Sequence, residues 1–234
     1  MCKRHNWDRL AIPIALHGDA VPAVGVGKAG SKSYDCYSWQ SVLAYGVTTS
    51  IKVYVFGLFE DCKMKGATRG EPSTMAECWK VVIWSLKAAF SGVWPRRDHK
   101  GCAWPPGSFE ARMAGQTLAN GYFLVLWSLK GDLDYFAKGL FLKHYSCNEF
   151  CAFCPAHSEE LDVDMLWSNF RKNARWKQSA YSVEAWRASL DFLHWLFAEI
   201  PYLTHHNVDR DELHLMHLGA TSYMLGSVLW VLCY

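Results

Sequence analysis

Apolar residues follow two rhythms along this chain, and the change from one to the other divides it. Residues 10–16, 34–43 and 51–59 are runs of β-branched, aromatic and aliphatic side chains separated by Gly/Lys/Ser-rich or Gly-Val-Thr-Thr turns, the pattern of three strands joined as an antiparallel meander. From Thr74 the period lengthens: Met75, Cys78, Trp79, Val82, Ile83, Leu86 and Phe90 recur at helical spacing, Thr74 and Glu77 fit a capping box, and Trp94 and Pro95 stop the pattern. Residues 96–107 are proline-rich and open with a basic run, which predicts a loop. Residues 122–129 read as a fourth, buried strand closed by a Lys130, Gly131, Asp132 turn. Residues 162–200 carry Trp167, Trp176, Trp186 and Trp195 and read as Trp-rich helices, and a last helical segment starts near Asp209.

Strand, strand, strand, helix, strand is the element order of an α/β protein with an RNase H-like mixed sheet and flanking helices, here with a Cys/His-rich zinc-knuckle insertion. Three parts follow: residues 1–143 as the first part of the core, 144–206 as a Cys/His-rich and Trp-rich helical insertion, and 207–234 as a C-terminal core helix that looks truncated. The composition fits: 234 residues, 51% apolar and 20% charged, exclude a disordered tail, a collagenous repeat and a disulfide mini-protein. A net charge of +2 does not by itself announce nucleic acid, so partners have to be argued from local sites.

The targeting signals are weak. The apolar run 10–16 imitates a signal peptide, but it holds Pro13 and ends in His17, Gly18 and Asp19 instead of a small-residue cleavage site. Residues 215–234 lack Asp, Glu, Lys and Arg and reach the length of a membrane span. His217, Thr221, Ser222, Ser227 and two glycines dilute that run, which favours a buried core helix over an anchor. The chain reads as intracellular.

Four sets of residues could carry chemistry. Gly25, Gly27 and Gly30 match a dinucleotide-binding fingerprint in spacing, but no helix follows to hold a pyrophosphate, which leaves a glycine hairpin with Lys28 and Lys32 as phosphate contacts. Cys147, Cys151, Cys154 and His157, with His144 just upstream, offer the thiolates and imidazoles of a tetrahedral structural zinc. Six other cysteines are scattered without metal spacing and read as reduced thiols. Asp19, Asp132 and Asp211 each lie at the end of an apolar element, where carboxylates brought together require divalent cations to offset their repulsion. The cations Arg96 and Arg97, and Arg171, Lys172 and Arg175 around Trp176, could hold phosphates beside a stacking ring.

Ile12 to Pro22, the Tyr37, Ser38, Trp39 run, Trp127 to Asp132, the Cys151 and Cys154 pair, Asp211 to His214 and Gly226 to Leu229 together resemble the catalytic core of CACTA (En/Spm)-type cut-and-paste DNA transposases. The order of these short motifs along the chain supplies most of the likeness. The resemblance implies an acidic triad of Asp19, Asp132 and Asp211 that holds two Mg²⁺ ions for phosphodiester cleavage and strand transfer. Asp134 competes with Asp132, and Asp209 and Glu212 compete with Asp211. His214, near Asp211, would stand behind it. In the family the proline lies inside the cysteine pair, whereas here Pro155 follows Cys154. The resemblance also implies a DNA partner, a homo-oligomer, a nuclear location, no small-molecule cofactor, and a fragment or decayed copy. Two other classes stay open: a non-catalytic zinc-knuckle module that binds nucleic acid or protein, and a membrane-anchored protein using 215–234.

Overall fold

The computed structural model describes residues 6–24, 32–59, 73–144, 146–159, 162–191, 193–210 and 220–233. In chain order these form α1 (Trp7–Leu10), β1 (Ala11–Val24), β2 (Lys32–Ser41), α2 (Thr48–Ile51), β3 (Val53–Phe59), α3 (Thr74–Ser91), α4 (Phe109–Met113), β4 (Phe123–Gly131), α5 (Val183–Ala188), α6 (Trp195–Glu199), β5 (Val208–Arg210) and α7 (Ala220–Cys233). The protein is α/β, with a five-stranded sheet in the order β3-β2-β1-β4-β5. By compactness the chain forms two units, 1–129 with 194–207, and 130–193 with 208–234.

In the first unit β1, β2 and β3 are successively antiparallel, the expected meander. β1 is longer than the apolar run that announces it, whereas β2 and β3 begin and end within two residues of theirs. β1 continues past Leu16 to Val24, so Asp19 lies within the strand, paired with Cys36, and not after it. A ladder asks only for backbone partners, and its outer half can be polar and exposed. Along β2, Tyr37 and Cys36 point to opposite faces, as successive strand residues do. The Tyr37 ring stacks on Phe56 at 4.3 Å, and Trp79 of α3 meets both rings edge-on at 5.5 and 5.8 Å. This aromatic contact seats α3 on the Tyr37 face and leaves Asp19 and Cys36 on the other.

α3 is the predicted amphipathic helix, with Ala76, Trp79, Val82 and Ile83 buried. Its cap is Ser73, one residue before the predicted Thr74: the Ser73 hydroxyl accepts from the Ala76 N–H at 3.1 Å, and Glu77 turns outward to Lys80. Gly92, at φ +67°, closes the helix in the left-handed conformation that favours glycine. α6 carries the buried Leu196 and Phe197, and Lys87 of α3 bonds Glu199 at 2.5 Å. The predicted loop between α3 and β4 is ordered by a bond of its own, Trp104 Nε1–H to the Pro95 carbonyl at 2.8 Å, and by one from α3, Trp84 Nε1–H to the Arg97 carbonyl at 3.1 Å.

The second unit departs further from the periodicity. Residues 162–182 are turns and a 3₁₀ segment, Arg175–Gln178, and not Trp-rich helices. Of the four tryptophans, Trp186 and, in the first unit, Trp195 lie in short α-helices, and Trp176 lies in the 3₁₀ segment. Trp176 instead donates its Nε1–H to the Asn169 carbonyl at 2.7 Å, a side-chain bond that stabilises a turn. α7 is a helix, and among its described side chains Met224, Val228, Leu229, Trp230, Val231 and Leu232 are each more than half accessible. Among the described residues no helix is long and apolar enough to cross a membrane.

Candidate functional site

The acid predicted after the fourth strand is where the sequence puts it. β4 ends at Gly131, and Asp132 follows with its Oδ1 accepting the Tyr135 N–H at 2.6 Å. That bond starts the tight turn Tyr135–Gly139, in which Tyr135 and Phe136 are buried, so Asp132 is fixed in place by the backbone it caps. Asp134, its competitor, is paired with Lys138 at 2.7 Å on the same turn. Of the two, Asp132 is the one whose carboxylate meets no cation in this turn.

Asp19 is exposed on β1 in the first unit. Its cross-strand neighbour is Cys36, opposite Gly57 of β3. The Tyr54 phenol hydrogen-bonds the Cys36 side chain, and that bond holds its pKa above the ordinary tyrosine value. Cys36, read from sequence as a scattered thiol, is thus the residue directly opposite Asp19 across the ladder. Only the strand register shows this, because a sequence does not say which residues of two strands face each other. Asp211, with Glu212 and His214, lies outside the described residues, and so does Lys28. Asp209 is in β5, and Lys32 opens β2 opposite Val24.

The cysteine segment assembles in part. The Cys154 thiol donates to Cys151 Sγ with the sulfurs 3.1 Å apart, and the Phe153 N–H points to the same Sγ at 3.4 Å. This contact with Cys151, aided by burial, raises the Cys154 pKa well above the usual thiol value. Cys147 is exposed, and the His144 Nδ1 meets Ser146 Oγ at 2.6 Å. His157 pairs backbone with Leu166, while its Nδ1 is buried without a hydrogen-bond partner. Among the described residues no three His, Cys, Asp or Glu side chains are grouped to hold a metal ion. Of the four zinc ligands expected from sequence, Cys151 and Cys154 are in contact.

The cations differ in how far they are committed. Arg175 is taken up by Asp162 and, at 3.7 Å, by Asp164, which leaves it little capacity for a phosphate. Its bond is the first cause of the Asp162 carboxyl lying below its ordinary pKa. Arg171 and Lys172 are exposed beside Phe170, itself 70% accessible. Arg96 and Arg97 are exposed too, and Arg97 Nη1 donates to the Gly101 carbonyl at 2.9 Å.

A residue that sequence reading passed over is His194. It is wholly buried, meets Trp79 edge-on at 5.0 Å, and caps α6 by accepting the Leu196 N–H at Nδ1, 3.1 Å. Burial lowers its pKa to about 3, so the ring is neutral. The lone signal in the sequence was a histidine just before an apolar helix, which many surface caps share. Comparison with protein-family models, with curated proteins and with solved structures finds no match to this chain.

Proposed function

We propose that the chain is a transposase-like catalytic domain with an RNase H-like sheet, in which Asp19, Asp132 and Asp211 hold Mg²⁺ for phosphodiester cleavage and strand transfer on DNA. The observation that carries the reading is topological. The sheet order β3-β2-β1-β4-β5 has three successive antiparallel strands, a long helix between β3 and β4, one acid on β1 and another directly after β4. That arrangement supports the element order read from sequence and the acids named in it.

Bound Mg²⁺ would supply Lewis-acid activation of water or a 3′-hydroxyl and neutralise the leaving oxygen. The chain's own part is to hold carboxylates at fixed positions. Asp132 suits this because one oxygen is spent on the Tyr135 N–H, which orients the other. Arg96 and Arg97 are offered for the DNA backbone, where cations contribute affinity without sequence choice. A nuclear location and self-association belong to the same proposal.

The test is Mg²⁺-dependent nicking of supercoiled plasmid DNA by the purified chain, beside calorimetric titration with Mg²⁺. Nicking and binding that are both lost in Asp19→Asn and in Asp132→Asn support the reading. Wild-type protein that neither binds Mg²⁺ nor nicks, or nicking equal in all three proteins, rejects it.

A second reading is favoured by one observation: Phe170 is exposed next to Arg171 and Lys172, a ring and two cations able to stack a base and hold phosphates. A non-catalytic single-strand binder would lose affinity in Phe170→Ala with no dependence on Mg²⁺.

A further inference from the structure

Cys151 and Cys154 lie side by side in the second unit. Their sulfurs, 3.1 Å apart, are inside van der Waals contact, joined by the Cys154 S–H to Cys151 Sγ bond. The loop between them is pinned from both sides: the Phe153 N–H turns inward to Cys151 Sγ, and the Phe153 carbonyl accepts the Tyr181 N–H at 3.0 Å. The next anchor is Ala156, 3% accessible. Both sulfur residues are only partly buried, so a small reagent can reach them.

We propose that Cys151 and Cys154 form a reversible dithiol–disulfide couple, a modification site whose co-reactant is a small-molecule disulfide. A disulfide bond is about 2.05 Å long, so closure requires the sulfurs to approach by only about 1 Å, within reach of side-chain rotation in a loop already folded back on itself. The balance is that of thiol–disulfide exchange. One cysteine thiolate attacks a sulfur of RS–SR, its S–S bond breaks, and RS⁻ leaves and takes up the proton that the cysteine gave. The second cysteine, deprotonated, attacks the sulfur now bearing RS, and a second RS⁻ leaves and is protonated. The two cysteines are oxidised by two electrons, and one disulfide is reduced to two thiols.

Zinc on the same pair is the rival outcome, and the two can be told apart. The inference is independent of the DNA reading, since none of Asp19, Asp132 and Asp211 takes part. The purified full chain is assayed for zinc, incubated with oxidised glutathione, alkylated and mapped by mass spectrometry. The expected result is less than half an equivalent of zinc and a peptide containing Cys147, Cys151 and Cys154 that loses two hydrogens, takes one alkyl group on Cys147, and regains its thiols with dithiothreitol. Cys147→Ser should lose the same two hydrogens and take no alkyl group, and Cys154→Ser should instead accumulate glutathione on Cys151. One equivalent of zinc that blocks oxidation in the wild type and is lost in Cys147→Ser or His157→Ala would overturn the proposal. So would alkylation of both cysteines after the oxidant.

Discussion

Asp132 shows how one side chain serves structure and chemistry at once, and how the two can be separated. Its Oδ1 caps the turn that follows β4. Asn keeps an oxygen there, whereas Ala removes it. Asp132→Ala should therefore cost about 1 kcal/mol in urea unfolding, the usual loss for a side-chain cap, and Asp132→Asn less than about 0.5 kcal/mol. Loss of Mg²⁺ binding in a stable Asp132→Asn protein then reports on charge alone, while equal destabilisation by both substitutions would show that the carboxylate charge holds the turn. Gly57 makes a similar point by its missing side chain. A Cβ there would lie 2.3 Å from the Tyr34 ring, which crosses the glycine to meet Phe59 edge-on at 5.0 Å. Gly57→Ala has to push that ring aside, and thermal unfolding should show a loss of about 1–3 kcal/mol, as for other overpacked sites. A neutral substitution would mean that the ring moves freely and contributes little to the strand.

Among the elements, α3 tests how far a local pattern reaches. Its seven apolar positions at helical spacing were legible because a helix that buries one face writes its period into the chain. Its cap was misplaced by one residue because Thr74 and Glu77 have the spacing of a capping box, while the hydroxyl that reaches an orphan N–H belongs to Ser73. Ser73→Ala should lower stability by about 1 kcal/mol. Glu77→Gln should leave it nearly unchanged, because the Glu77 bond to Lys80 is wholly on the surface. If Glu77→Gln were the costlier, the box and not the serine would be the cap. The same contrast explains the rest of the sequence reading. The first four strands and the place of Asp132 were visible, since buried strands are apolar and end at turns; the three-residue β5, where the reading starts a helix near Asp209, was not. The outer half of β1, with Asp19, was not, because a ladder needs no apolar side chains. The tryptophans of 162–182 misled, because rings tied to carbonyls, as Trp176 is to Asn169, stabilise turns without any helical period. The spacing of Cys151 and Cys154 foretold their contact, whereas distances from Cys147 and His157 depend on a loop path that composition does not encode.

For the molecule as a whole, His194 links stability to pH. It lies in the first unit, enclosed by Trp79, Trp195 and Phe197, and its neutral ring accepts the Leu196 N–H at Nδ1. Acceptance at Nδ1 places the proton of the neutral ring on Nε2. Its folded pKa is about 3, against an unfolded value of about 6.5. Between these two values the unfolded chain binds a proton that the folded chain does not, so stability rises with pH across that window. The contribution is complete above about 6.5 and is lost as the pH falls toward 3, with a slope of up to about 1.4 kcal/mol per pH unit for one group. Carboxylates titrate in the lower part of the same range, and a variant isolates the histidine from them. His194→Asn keeps an acceptor oxygen for the Leu196 N–H and has no proton to gain. Urea unfolding at pH 7, 6 and 5 should show the wild type losing stability faster than His194→Asn, with the gap opening below about pH 6.5. Parallel curves for the two proteins would mean that the buried ring takes up its proton in the fold as readily as in water, and that α6 opens to let it.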